Sequence, residues 1–284
     1  MKEALTFIIC CLVLASCEPE PLSIEIPQAE TKLVLYTQNL PNQALIVSLS
    51  KSFSALVLPN DAGLDSTITD SLNAVFINQF LVDSAIVTVI GPDYNDTLIR
   101  AISGFYIAPF FPFTPGNNYR LEAFDPSTGL SIISNTETLP IANFENFTAK
   151  RGNGEDSSTI TLTYKIEDLP GSNYYLVNIY TDSIPQSNFL GFNNDNEGRS
   201  FTFTDREYPV NEVSREDNYF YEGDTDSIVA TLTNISRDYY DFLLARNRAG
   251  NSFLSEPVSF PSNVEGGYGY FNLHFPSALI VKLD

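Results

Sequence analysis

The sequence predicts a mainly β fold, arranged as two tandem β-sandwiches with one short helix near the C-terminal end. Three observations carry that expectation. Short apolar runs with strand alternation recur along the body, Gly/Pro/Asn/Asp turn clusters separate them at regular spacing, and helical periodicity is confined to one stretch.

The elements follow in order. Lys32 to Tyr36 and Ala44 to Leu49 are apolar runs parted by Asn39, Pro41 and Asn42. Ala85 to Ile90 ends on Gly91-Pro92-Asp93, a turn signal. Runs at 97–100, 104–107, 118–123 and 131–134 come next, divided by Pro115 to Asn118 and by Asp125 to Gly129. Residues 56–80 lack a pattern and suit a long loop or a short helix. Leu139-Pro140 reads as a boundary. Beyond it Thr159 to Ile166 alternates in the strand period, Asp168 to Gly171 turns the chain, and Tyr174 to Tyr180 returns it. That strand, turn and strand resembles an immunoglobulin/fibronectin III-like sandwich. Residues 200–204 and 227–232 add strands. The helix is expected near 236–249, where Ser236 can cap it and Tyr239, Phe242, Leu243 and Arg246 keep helical spacing. Arg246 and Arg248 suit its C-terminal dipole and Gly250 can close it. Such a helix is expected to cover a sandwich end.

The chain starts with a secretory pattern. Lys2 precedes an apolar run from Leu5 to Ala15 that is too short to span a bilayer and suits a signal. Leu14-Ala15-Ser16-Cys17 resembles the lipobox of a bacterial lipoprotein. Cleavage there makes Cys17 the first residue and the site of a diacylglycerol and acyl (palmitate-type) anchor. Cys10 and Cys11 leave with the signal, so no disulfide is available to the mature chain. Pro19, Pro21 and Pro27 favour an extended tether. Glu18 and Glu20, directly after the anchor, resemble the surface-export signal of Bacteroidota-type lipoproteins. The expected organisation is a signal at 1–16, an acidic Pro-rich tether at 17–31 and a first sandwich at 32–140. A fibronectin III-like sandwich then spans 141–261, and a Gly-rich strand segment at 262–284 packs back on both.

Charge and composition narrow the function. The formal net charge is −20, and removing residues 1–16 takes away only Lys2 and Glu3, so the mature value is unchanged. Such a surface opposes nucleic acid as a partner. His274 is the sole histidine and is expected as a partly buried side chain on a strand. One histidine and no thiol pair build no histidine-based metal cluster. No Gly-x-Ser-x-Gly elbow accompanies a Ser-His-Asp set, and no Trp lines a sugar cleft. No cofactor and no catalytic residue are expected, and the protein reads as a non-enzyme. The calcium candidate is Asn193, Asp195 and Glu197, oxygen ligands at alternate positions before Gly198. The twelfth position is Thr204 rather than Glu, so a polar loop is the first reading. Gly266-Gly267-Tyr268-Gly269 lacks the Gly-Lys-Ser/Thr ending of a phosphate loop, and its glycines suit a turn or a close backbone approach. Tyr268 and Tyr270 are candidate interface residues, against a packing role. Asp followed by Ser or Thr and a small or aliphatic residue recurs at Asp65, Asp70, Asp83, Asp96, Asp182 and Asp226. It resembles an O-glycosylation signal of Bacteroidota secreted proteins, against plain turn endings before strands.

The C-terminal pattern adds a family. Tyr239-Tyr240-Asp241-Phe242-Leu243, then Pro257, then Ser262 to Phe271 resemble the ending of an uncharacterised Bacteroidota lipoprotein family, domain of unknown function 4249 (DUF4249). Leu33-Val34-Leu35, Val47 to Ser50, Ala85 to Val89, Gly104-Phe105-Tyr106, Tyr119-Arg120-Leu121 and Thr138-Leu139-Pro140 are similar too. Members are often encoded beside TonB-dependent receptors. The resemblance implies a lipid-anchored protein on the outer face of the outer membrane, with the bilayer and a TonB-dependent receptor as partners. The alternative is a structural or adhesive surface module without a transported ligand. The family offers no catalytic residues to carry over.

Overall fold

Strand-forming runs become strands in chain order: β1 (Leu33–Asn39), β2 (Leu45–Lys51), β3 (Ile86–Ile90), β4 (Asn95–Thr97), β5 (Ile99–Ile102), β6 (Phe105–Ala108), β7 (Asn118–Asp125) and β8 (Leu130–Glu137). Then come β9 (Phe144–Arg151), β10 (Thr159–Ile166), β11 (Tyr174–Tyr180), β12 (Gly198–Thr204), β13 (Val213–Phe220) and β14 (Ser227–Ile235). Helix α1 (Arg237–Arg248) follows, and β15 (Val264–Glu265), β16 (Tyr268–Tyr270) and β17 (Ser277–Lys282) end the chain. The computed structural model describes residues 30–52, 80–152, 158–181, 198–209, 213–221, 225–248 and 260–283. The fold is mainly β with one short helix among them. The loop or helix expected at 56–80 lies outside them, save for Phe80.

Two sheets enclose the first core. One has the order β16-β1-β2-β6-β5, the other β15-β8-β7-β3-β4. Strand alternation sends Leu33, Leu35, Val47 and Leu49 from the first sheet and Val87, Val89, Leu121 and Ala123 from the second into one buried cluster. The single strand expected at 97–100 divides between the sheets. Leu98 sits between β4 and β5 and turns into the core, its N–H donating to the Val87 carbonyl at 2.8 Å.

A second pair of sheets, β13-β10-β9 and β12-β11-β14-β17, encloses a separate core. Ile160, Leu162 and Tyr164 face Val177, Ile179, Ile228 and Leu232. Residues 31–284 group as one compact unit holding both cores. Each fully buried aliphatic or aromatic side chain contributes about 1.5–3 kcal/mol relative to exposure.

Two strands lie where no strand was expected, and the Gly-rich strand segment expected at 262–284 becomes β15, β16 and β17. β9 buries only Ala149, and β13 reads Val-Ser-Arg-Glu-Asp-Asn, so neither shows an apolar run. Both flank β10, which supplies the apolar alternation for its sheet. β16 is short and carries a glycine at its centre. It pairs parallel with β1, Leu35 opposite Gly269, while the neighbouring β15 pairs with β8 in the facing sheet. The C-terminal segment thus adds a strand to each sheet of the first sandwich before β17 pairs with β14 in the second.

Candidate functional site

Helix α1 begins at Ser236 as expected. The Ser236 Oγ accepts from the Tyr239 N–H at 3.3 Å, and its carbonyl accepts from the Tyr240 N–H at 2.9 Å. Arg246 and Arg248 occupy its last turn. Gly250 lies outside the described residues. The helix buries Phe242 and Leu243 in a third cluster with Ile235 and Tyr270, against Tyr36, Tyr174, Leu176, Tyr239, Tyr240 and Phe260. Strand alternation explains the partners. Leu33 and Leu35 of β1 face the first core, so Tyr36 faces the helix; Tyr175 and Val177 of β11 face the second, so Tyr174 and Leu176 do the same. Phe242 lies 6.2 Å from Tyr36 and 5.3 Å from Tyr270, ring centre to ring centre, and Tyr240 lies 5.0 Å from Tyr174. The helix therefore packs on outer-facing residues of both sandwiches.

The glycines set how closely β16 can approach β1. Gly269 has φ +104°, and a Cβ there would lie far inside van der Waals contact with the Leu35 carbonyl oxygen. A Cβ on Gly267 would overlap the Leu33 carbonyl oxygen in the same way. Only glycine fits these positions.

Beyond β16 the chain runs extended, and side chains replace the backbone ladder. Thr37 Oγ1 donates to the Asn272 carbonyl at 3.1 Å and accepts from the Asn272 N–H at 2.9 Å. Asn39 Nδ2 donates to Asn272 Oδ1 at 2.6 Å and to its carbonyl at 3.2 Å. On the other side, Asn263 Nδ2 donates to the Phe271 carbonyl at 2.8 Å while its Oδ1 accepts from the Phe271 N–H at 2.9 Å. Phe271, Leu273 and Phe275 enter the first core. Asn272 and His274, the alternate residues, form a buried polar seam. The Asn272 side chain also hydrogen-bonds Tyr239 of the helix, whose ring centre is 5.6 Å from that of His274.

His274 differs from expectation in two ways. It lies on the extended segment between β16 and β17, not on a strand, and it is 3 % exposed. Burial pushes its imidazole down to about 3, so the ring is neutral at pH 7. Burial pushes the Tyr239 and Tyr36 hydroxyls up, while the Arg246 charge pulls both down. The seam is thus a neutral, enclosed amide–imidazole–phenol cluster beneath an aromatic helix face. It joins helix, β1 and C-terminal segment through hydrogen bonds.

Tyr270 is not an exposed interface residue. It is 5 % exposed and packs among Tyr239, Phe242 and Ile235, because its strand position faces the helix. Tyr268 is half-buried, with Lys32 Nζ 5.3 Å from its ring centre. Tyr270 also lines an open cleft of about 200 Å³ with Asp238, Asp241, Pro261, Ser262 and Asn263. Cys17, Glu18, Glu20, Asn193, Asp195 and Glu197 lie outside the described residues. Among the described residues no group of three or more His, Cys, Asp or Glu could hold a metal ion.

Two further polar clusters are self-contained. Asp125 is fully buried at the end of β7 and accepts from Ser84 Oγ at 2.7 Å, Thr128 Oγ1 at 2.7 Å and Ser127 Oγ at 2.8 Å. Burial raises its pKa, but these hydrogen bonds outweigh it and hold the carboxyl down at about 2. In the second sandwich Arg215 forks onto Asp217 at 2.7 Å and 3.1 Å, and Tyr164 donates to Asp217 Oδ2 at 2.6 Å. Arg215 Nη1 donates to Tyr208 at 2.9 Å and the guanidinium lies 4.4 Å from the Phe203 ring centre. Of the Asp-Ser/Thr motifs, those at Asp65, Asp70 and Asp182 fall outside the described residues. Asp96-Thr97 lies on exposed β4, Asp226 precedes β14, and the Ser84 hydroxyl is spent on Asp125.

The seam was not found from sequence. Asn39, Asn272 and Tyr239 look like ordinary strand and helix residues. The usable signal was Phe271-Asn272-Leu273-His274-Phe275, where polar residues alternate with large apolar ones directly after a glycine-rich approach.

A family profile described as Domain of unknown function (DUF4249) matches residues 19–274. No curated protein matches the chain. Among solved structures, a cytokine receptor complex is similar at 9 % identity, covering 71 % of this chain and 89 % of that one, with a TM-score of 0.23. A DUF3823 family protein from Bacteroides ovatus is similar at 13 % identity, covering 55 % and 82 %, with a TM-score of 0.23. A Salmonella alpha-2-macroglobulin mutant is similar at 9 % identity, covering 95 % and 16 %, with a TM-score of 0.22. TM-scores of this size carry no inference about this chain.

Proposed function

We propose, from the premise that the chain belongs to the DUF4249 family, that it is a non-enzymatic lipoprotein of the outer membrane. It hangs from Cys17 by a diacylglycerol and acyl anchor, faces the cell surface, and serves as a binding or accessory component of a TonB-dependent receptor system. The observation that carries this reading is the run Leu14-Ala15-Ser16-Cys17 followed by Glu18 and Glu20 in a Pro-rich tether. A lipobox places a soluble body on a membrane, and the acidic residues after it give the outward address. The mainly β body supports the reading. Its polar clusters serve packing, and its two sandwiches suit immunoglobulin/fibronectin III-like modules that present loops and faces to a partner.

The test is recovery of the native lipoprotein from detergent-solubilised outer membrane by a C-terminal tag. A β-barrel receptor should copurify. Recovery of the lipoprotein alone overturns the accessory role. If its gene deletion then alters attachment and leaves nutrient uptake intact, the protein is an adhesive surface module instead.

A further inference from the structure

The seam under helix α1 contains buried polar atoms that no group among the described residues satisfies. Neither ring nitrogen of His274 has a hydrogen-bond partner among the described residues. Asn39 Oδ1 and Gln38 Oε1 are buried without a partner in the same sense. Three of these atoms belong to one connected cluster. Asn272 Oδ1 accepts from Asn39 Nδ2 at 2.6 Å and from the His274 backbone N–H at 3.3 Å. The fourth, on Gln38, lies on the side of β1 that turns Tyr36 toward the helix.

We propose that this seam is a built hydration site. At least one ordered internal water bridges the His274 ring to Asn39 Oδ1 or Gln38 Oε1. The donor and acceptor inventory selects the ligand. A neutral imidazole offers one N–H and one lone pair, and the two amide oxygens offer only lone pairs. Satisfying them requires a species that both donates and accepts. Two unmet amide oxygens repel an anion. The Arg246 charge acts on Tyr36 and Tyr239 beside the seam, and no carboxylate among the described residues hydrogen-bonds to the seam, so a cation is unfavourable there. Water is neutral, donates twice and accepts twice. Buried polar groups that lack protein partners are met by ordered water as a rule. The water would complete the hydrogen bonding that joins α1, β1 and the C-terminal segment.

The test is a crystal structure of the mature chain at about 1.8 Å or better, with a count of long-lived internal waters by magnetic relaxation dispersion. The expected result is a water peak within roughly 2.7–3.2 Å of a His274 ring nitrogen and of Asn39 Oδ1 or Gln38 Oε1. His274→Phe should then lose at least one long-lived water. Protein groups bonded to both ring nitrogens, a seam without solvent density, or a solute other than water overturns the proposal. If His274→Phe fails to fold, the structure of the unsubstituted chain decides alone.

Discussion

Lowering the pH from about 7 to about 5 should remove stability that His274 supplies at neutral pH. The chain has a single histidine, the one side-chain type whose ordinary value lies in that window. Its folded value is about 3 against 6.5 in an unfolded chain, because burial disfavours the charged ring. The unfolded state therefore binds more protons between those values, and stability falls as pH falls from 6.5 toward 3. At about pH 5 the solution is roughly 1.5 units below the pKa of the unfolded ring, worth about 2 kcal/mol at about 1.4 kcal/mol per unit. A bound water alters this little, provided the folded value stays below about 4. The background works in the opposite direction. With a net charge of −20, acidification relieves self-repulsion and favours the compact state. Urea unfolding at the two pH values, for the unsubstituted chain and His274→Phe, separates the effects. The unsubstituted chain should lose about 2 kcal/mol more than the variant. An equal change in both refutes the account of His274.

Four further outcomes follow from the packing. Gly269→Ala should cost more than Gly171→Ala in thermal unfolding. Both sites have φ near +100°, but only Gly269 has a carbonyl oxygen where the Cβ must go. Equal costs would mean that β16 can retreat from β1 freely. Asp125→Asn should lose about 2 kcal/mol at pH 7, since the carboxyl is held near 2 against an ordinary 3.8. That stabilisation is present above the unfolded value and fades as pH falls from about 4 to about 2; an acid-independent loss would contradict it. Tyr164→Phe should cost about 1.5–3 kcal/mol in denaturant unfolding, the range for a hydrogen bond to a charged group. A neutral result would mean that Arg215 alone satisfies Asp217. Ser236→Ala should cost about 1 kcal/mol through the lost cap of α1, read by the same assay.

The fold was legible where apolar alternation is intrinsic to the strand. Thr159 to Ile166 and Tyr174 to Tyr180 form strands with the bounds their alternation implies, because each buries one face against a core. Ser236 marked the helix start through its hydroxyl. β9 and β13 were hidden because they borrow their place from β10, and a polar edge strand carries little signal of its own. β16 was legible as part of a Gly-rich strand segment, and its pairing is made possible by missing side chains, at Gly267 and Gly269, rather than by apolar ones. The seam depends on residues far apart in sequence, with Asn39 meeting Asn272 across 233 positions. No local pattern encodes that contact. Tyr270 follows the packing alternative rather than the interface one, because the tight β16 approach turns it under the helix.

The anchor at Cys17 is tested most directly by intact mass and N-terminal peptide mapping of the chain extracted from native membranes. The expected product begins at Cys17, lacks residues 1–16, and carries diacylglycerol and acyl mass on that residue. A product that keeps Met1, or one cut elsewhere with a free Cys17 thiol, contradicts the lipoprotein reading and with it the proposed place at a membrane receptor.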